Sequence, residues 1–121
     1  MAWYLVTART RAGRLHELEK RLEGGEIAGL KPFGEALAFG LGNARIRPDY
    51  RAQWEEEDYC VPPLAQERDA VLDHYFSDIE VETVPYRGGW ERVEHYPRLF
   101  PDISVKISKP QHWVNNEDNS D

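Results

Sequence analysis

One cysteine, Cys60, in 121 residues leaves no partner for an internal disulfide, so a reducing compartment is the simplest setting. No run of about 18 apolar residues and no signal-peptide core occurs, so neither a spanning helix nor export is expected, and the expected location is cytoplasmic. Basic charge is also short. Fifteen Lys and Arg stand against 22 Asp and Glu, a formal net charge of −7, which argues against nucleic acid held on a general basic surface and against an anionic membrane. The four histidines, His16, His74, His95 and His112, never lie three or four residues apart, and Cys60 has no Cys-x-x-Cys partner. No metal site and no cofactor is therefore expected. Gly88-Gly89 opens no helix with a following basic residue and reads as a turn, not a phosphate cradle. Apolar content is a modest 40%, partly offset by four Trp, six Tyr and four Phe, and the length suits one domain with a modest core.

What is present is organised around Glu35 to Val61, read as one β-hairpin. The first arm, Glu35 to Gly42, alternates large apolar with small residues, and the second, Arg51 to Val61, carries Glu55-Glu56-Glu57-Asp58. Between them Arg47-Pro48-Asp49-Tyr50 suits a type I turn, with Tyr50 pushed into the left-handed region. That loop sets Arg47 opposite Arg51 and fixes the register of everything beyond it. One face then holds Leu37, Phe39 and Leu41 with Val61, Tyr59 and Glu57. The other holds Ala38, Gly40 and Gly42 with Cys60, Asp58 and Glu56, and places Ala44 beside Trp54. Glycines in a strand mark a bulge or a close approach by another group.

The flanking chain supplies the other elements. Ala2 to Arg9 is aromatic and β-branched on both faces, which predicts a central strand. Leu15, Leu18 and Leu22 form a helical stripe that predicts a helix over Arg14 to Glu23, closed by Gly24-Gly25. Ile27, Leu30 and Phe33 predict that the following connection packs down. Pro63 to Phe76 is predicted helical, with Leu64, Val71, Leu72, Tyr75 and Phe76 inward and Gln66, Glu67, Asp69 and Asp73 outward. Ser77-Asp78 reads as a break, and Ile79 to Val84 alternates as a half-buried strand. Trp90 to Tyr96 suits a further strand or short helix, and Arg98-Leu99-Phe100, between Pro97 and Pro101, a clip docked on the body. After residue 101 there is no Arg, and three of the four Asn occur. Residues 102–121 therefore read as a flexible C-terminal tail on a single domain spanning 1–101.

The order strand, helix, strand, strand, helix, strand predicts an α+β fold: a ferredoxin-like βαββαβ chain, an antiparallel sheet with two helices on one face. Over about Ala2 to Tyr86, in element order and helix lengths, the chain resembles the dimeric α+β barrel group. The resemblance implies a homodimer with two sheets facing each other and a small ligand bound between sheet and helices or at the barrel mouth. None of that group's local catalytic motifs is found.

Glu56 and Asp58, two residues apart in a strand, share a face, as Glu55 and Glu57 share the other. Two such carboxyls can share a proton for acid–base work or hold a cation, whereas the plain alternative is a solvated edge strand defended by charge. Trp54 on the same face would suit a cationic organic ligand. Cys60 beside carboxylates has a raised thiol pKa, the reverse of what a nucleophile needs. The sequence thus points to a homodimeric module binding a small cationic or apolar ligand through Trp54, Glu56 and Asp58. The alternative is a cofactor-free enzyme using Glu56, Asp58 or His74 as base.

Overall fold

In the computed structural model, which describes residues 2–100, strand β1 (Ala2–Thr10) is the spine of a four-stranded sheet. Its neighbours are β3 (Arg51–Asp58) and β4 (Phe76–Val84), and the two-residue β2 (Arg45–Ile46) pairs with β3 outside them. The order is β2-β3-β1-β4, every pair antiparallel. The central position expected for the first strand is observed: Val6 pairs with Trp54 on one side and Val81 on the other. Strand β4 begins three residues earlier than its alternation predicts. The Ser77-Asp78 break is a bulge inside the strand, with Asp78 at φ +51° and the pairing shifted between Thr7 and Arg9.

The turn and the first rungs of the hairpin stand as read. Tyr50 is left-handed at φ +66°, the Tyr50 N–H donates to Arg47 O, and the Arg47 N–H donates to Arg51 O. Ile46 faces Ala52 and Arg45 faces Gln53. Beyond Arg45 the expectation is overturned: Gly34–Gly42 is helix α2, not a strand. Leu37 and Leu41, one helical turn apart, are both fully buried, while Phe39 is 63% exposed. Over eight residues an alternation of large and small side chains satisfies both periods, and the i, i+4 pair decided the outcome. The glycine reading of a close approach is correct for Gly40. A Cβ there would lie 2.8 Å from Trp54 Cδ1 and 3.3 Å from Glu55 O, so α2 rests directly on the stretch of β3 that β2 leaves unpaired.

Helix α1 (Leu15–Glu23) buries Leu15 and Leu18. It ends in a Schellman arrangement: Gly25, at φ +80°, donates to Leu22 O, and Glu26 donates to Arg21 O. Glu17 and Arg21 meet through Tyr75, whose hydroxyl donates to Glu17 Oε2 at 2.7 Å and accepts from Arg21 Nη1 at 2.9 Å. The second predicted helix exists in three consecutive pieces: α3 (Ala65–Glu67), a π-helical turn Arg68–Leu72, and α4 (Asp73–Tyr75). It starts after Pro63 because Leu64 is left-handed, φ +64°, and Phe76 already belongs to β4. Leu15, Leu18, Leu37, Leu41, Leu64, Val71 and Leu72 join Val6, Ala8, Trp54 and Phe76 in one core.

The segment after β4 takes the helical alternative, α5 (Gly88–Val93). It does not join the other helices. A Cβ on Gly89 would meet Glu55 and Leu5, residues that alternate with Trp54 and Val6, so α5 packs on part of the opposite face of the sheet, over Leu5 and Glu55. Helix α5 is an extra C-terminal helix beyond the two expected on the core face. Leu99 and Phe100 are buried as the docked clip requires, the Leu99 N–H donates to Ala44 O, and Ile46 N–H donates to Pro97 O. Leu37, Leu41 and Trp54 lie in the core and Ala38 to Gly42 is helical, so none of them forms an exposed sheet face. The predicted tail, residues 102–121, lies outside the described residues. Among the described residues no helix is long and apolar enough to cross a membrane.

Candidate functional site

The even-numbered residues of β3 point toward the helices, and this carries Trp54, Glu56 and Asp58 into the interior. All three predicted site residues are buried, Trp54 completely and Glu56 to 2% exposure. The solvated-edge reading of the acidic run therefore fails, because Glu55 is buried too. The predicted split of the run between two faces holds. Glu55 serves the far face, where it accepts from the backbone N–H groups of Arg87 (2.7 Å), Gly89 (2.7 Å) and Trp90 (3.1 Å). That carboxylate is fully used as the N-terminal cap of α5.

Glu56 and Asp58 do not overlook a glycine floor. Gly40 lies against Trp54, and a Cβ on Gly42 would have nothing within 4 Å. What they meet instead is Glu67 from α3, a residue the sequence reading placed outward and which is 1% exposed. Its inward position was readable: Leu64, Glu67 and Val71 follow one another at i, i+3 and i+7, so Glu67 lies on the apolar stripe itself. An acid on a stripe between two buried aliphatics is the signal that periodicity alone discounts.

The cluster is held from several sides. Trp54 Nε1–H donates to Glu56 Oε1 at 3.0 Å, which consumes the indole's polar edge. Its ring packs on Phe76 at 5.2 Å between centroids and against Gly40, so it is not open as a cage for an organic cation. Asp58 Oδ2 accepts from Leu64 N–H (2.6 Å) and Cys60 N–H (3.1 Å), closing the loop that joins β3 to α3. Cys60, half-buried, has its Sγ 3.8 Å from Glu67 Oε1. Asp58, Cys60 and Glu67 each present a ligand atom, all within 4.8 Å of one another. Glu56 Oε2 and Glu67 Oε2 are buried without a hydrogen-bond donor, and the two carboxyls interact with each other.

Protonation follows from this packing. Burial raises the Glu56 carboxyl well above the ordinary range; the Trp54 hydrogen bond opposes that, and the charges of Glu67 and Asp58 add to it. Glu67 is likewise raised, first by burial and then by sharing a hydrogen bond with Asp58. Burial alone would raise Asp58 as well. Hydrogen bonds from Glu67 and from the backbone of Leu64, Cys60 and Tyr59 outweigh it and hold Asp58 below its usual value. The three carboxyls therefore titrate as a coupled set in which Asp58 ionises before the glutamates. For Cys60 a hydrogen bond from the Gln66 backbone lowers the thiol pKa, but burial and the Asp58 and Glu67 charges raise it overall, as the sequence implied.

Among the described residues, His16 and His74 belong to other contacts. His16 Nδ1 lies 4.0 Å from Glu19 on α1, and His74 packs its ring edge-on to Tyr75. A cleft of about 310 Å³ opens elsewhere, between α1 and α2, lined by Leu22, Glu23, Ala38, Arg98 and Phe100. Comparison with protein-family models, with curated proteins and with solved structures finds no match for this chain.

Proposed function

We propose that this chain is a small binding module of ferredoxin-like topology that takes one positively charged ligand at the Glu56–Glu67–Asp58 cluster. The topology reading is supported by the antiparallel order β2-β3-β1-β4, with helical connections between β1 and β2 and between β3 and β4. The observation that carries the ligand reading is the pair of donorless oxygens, Glu56 Oε2 and Glu67 Oε2, on side chains that are 2% and 1% exposed. Two buried carboxyls that interact with each other are satisfied by a shared proton or by a cation. A proton serves in the free chain, and a cation that also satisfies Asp58 displaces it.

In this proposal the working form is a homodimer joined through the sheet face away from the core helices. There the Trp3 and Tyr86 rings meet at a tilt, 4.8 Å between centroids, and Tyr59, 72% exposed, reaches Glu57. The test of ligand binding is a thermal-shift series on chelator-treated chain with divalent cations and with small organic ammonium ions. A ligand at a hundred times its dissociation constant adds about 2.7 kcal/mol, which moves the midpoint by roughly 10 °C for a domain of this size. A cation-dependent shift that Glu67→Gln abolishes is expected; no shift with any cation would contradict the proposal.

A further inference from the structure

We infer that the ligand is a divalent metal ion of the zinc kind, bound by Asp58, Cys60 and Glu67, with Glu56 behind Glu67 as the supporting carboxyl. The inference rests on the cation-binding reading above and specifies its chemistry. Three side chains converge from two elements and the loop between them: Asp58 at the end of β3, Cys60 in the loop, and Glu67 in α3. Their ligand atoms lie within 4.8 Å of one another. Zinc bonds of about 2.0–2.3 Å at tetrahedral angles place neighbouring ligand atoms about 3.3–3.8 Å apart, and Cys60 Sγ is already 3.8 Å from Glu67 Oε1. Side-chain adjustment of roughly 1 Å draws the remaining atoms onto an ion.

Acidic residues alone would not identify a site, and two further features do. Glu56, which is not one of the three ligands, is 2% exposed, interacts with Glu67, and has an oxygen with no donor. That is the position of the outer carboxyl that orients and charges a metal ligand. Asp58 is in addition fixed by the Leu64 and Cys60 N–H groups on its Oδ2, so it is positioned before any ion arrives.

The donor set selects the metal. One sulfur and two carboxylate oxygens suit zinc, cobalt(II) or cadmium. Calcium seeks six to eight oxygens, and magnesium keeps most of its water, so neither gains from the thiol. Binding breaks the S–H bond of Cys60, forms the metal–sulfur bond and releases the proton to solvent. Three protein ligands leave a fourth position for water or another ligand.

Cobalt(II) titration of the full chain, freed of metal by chelation and carrying no histidine tag, tests this. One cobalt per chain is expected, with a thiolate-to-metal charge-transfer band and the intense visible bands of a four-coordinate ion, all removed by zinc. Cys60→Ala should abolish the charge-transfer band. Glu56→Gln should keep the spectrum and weaken affinity about 10–100-fold. Cobalt uptake without the charge-transfer band, or uptake equal in Cys60→Ala, would overturn the metal assignment. If the chain then still gained thermal stability from calcium or an organic ammonium ion, the cation reading would stand without this inference. Failure to bind any cation would end both.

Discussion

Gly40 and Glu55 show how much of this molecule is decided by single atoms. With a hydrogen where a Cβ would be, Gly40 lets α2 lie on the Trp54 ring; a methyl there would sit 2.8 Å from Cδ1 of a fully buried indole. Gly40→Ala is therefore expected to destabilise by about 1–3 kcal/mol through overpacking, although alanine is the better helix former by about 1 kcal/mol. Chemical denaturation checks the sign, and a gain in stability would contradict the close approach. Glu55 works as an acceptor. One carboxylate accepting three N–H groups from the start of α5 should cost about 2 kcal/mol when replaced by glutamine, which brings a donor to a site needing only acceptors. Hydrogen exchange at Gly89 and Trp90 should accelerate in Glu55→Gln. Unchanged exchange there would show that α5 is held by packing alone.

At the scale of elements, the junction of β3 with α3 couples stability to pH. The folded state raises Glu56 and Glu67 above the ordinary carboxylate range. As pH rises through that range, the unfolded chain gives up these protons first, so folding loses free energy until the folded pKa values are passed. Asp58 acts in the opposite sense: its lowered value contributes stability above the ordinary range that is lost as pH falls through its folded pKa. The metal-free chain should consequently melt higher at about pH 5 than at about pH 8, and Glu56→Gln should flatten the difference. A midpoint that climbs steadily from pH 5 to 8 in both proteins would refute this. The same elements divide what the sequence could and could not disclose. The turn Arg47 to Tyr50, the central β1, the stripe of α1 and the docked Leu99-Phe100 follow from local chemistry, and all are found. Helix α2 was hidden because Ala, Leu, Phe and Gly carry no charge to mark a wet face, and eight residues are too few to separate two periods. Trp54, Glu56 and Asp58 were readable as one face of a strand. Glu67 was missed because an acid on an apolar stripe looks like a lapse in the pattern until its carboxyl partners are in place.

For the whole molecule, charge and surface set the terms of association. The sheet face away from the core is polar over Arg9, Arg51, Glu80 and Glu82, and its aromatic end gathers Trp3, Tyr86 and Tyr59. If two copies meet there, sedimentation at about 100 μM should give a dimer, and Tyr86→Ala should shift it toward monomer, since aromatic anchors dominate such contacts. A monomer unchanged by salt would remove the dimer and leave the buried cluster as it is.

The central claim, that the Glu56–Glu67–Asp58 cluster with Cys60 is built to receive a positive ion, is tested most directly by calorimetry. Metal-free chain is titrated with zinc at neutral pH in two buffers of different ionisation enthalpy, so that the heat counts ions bound and protons released together. Because a thiol gives up its proton when it binds a metal, and Cys60 is raised above its usual value, one ion per chain with release of at least one proton is expected. Saturable binding without proton release would mean an ion resting on carboxylates that were already ionised, and the absence of saturable heat would mean no site; either result contradicts it.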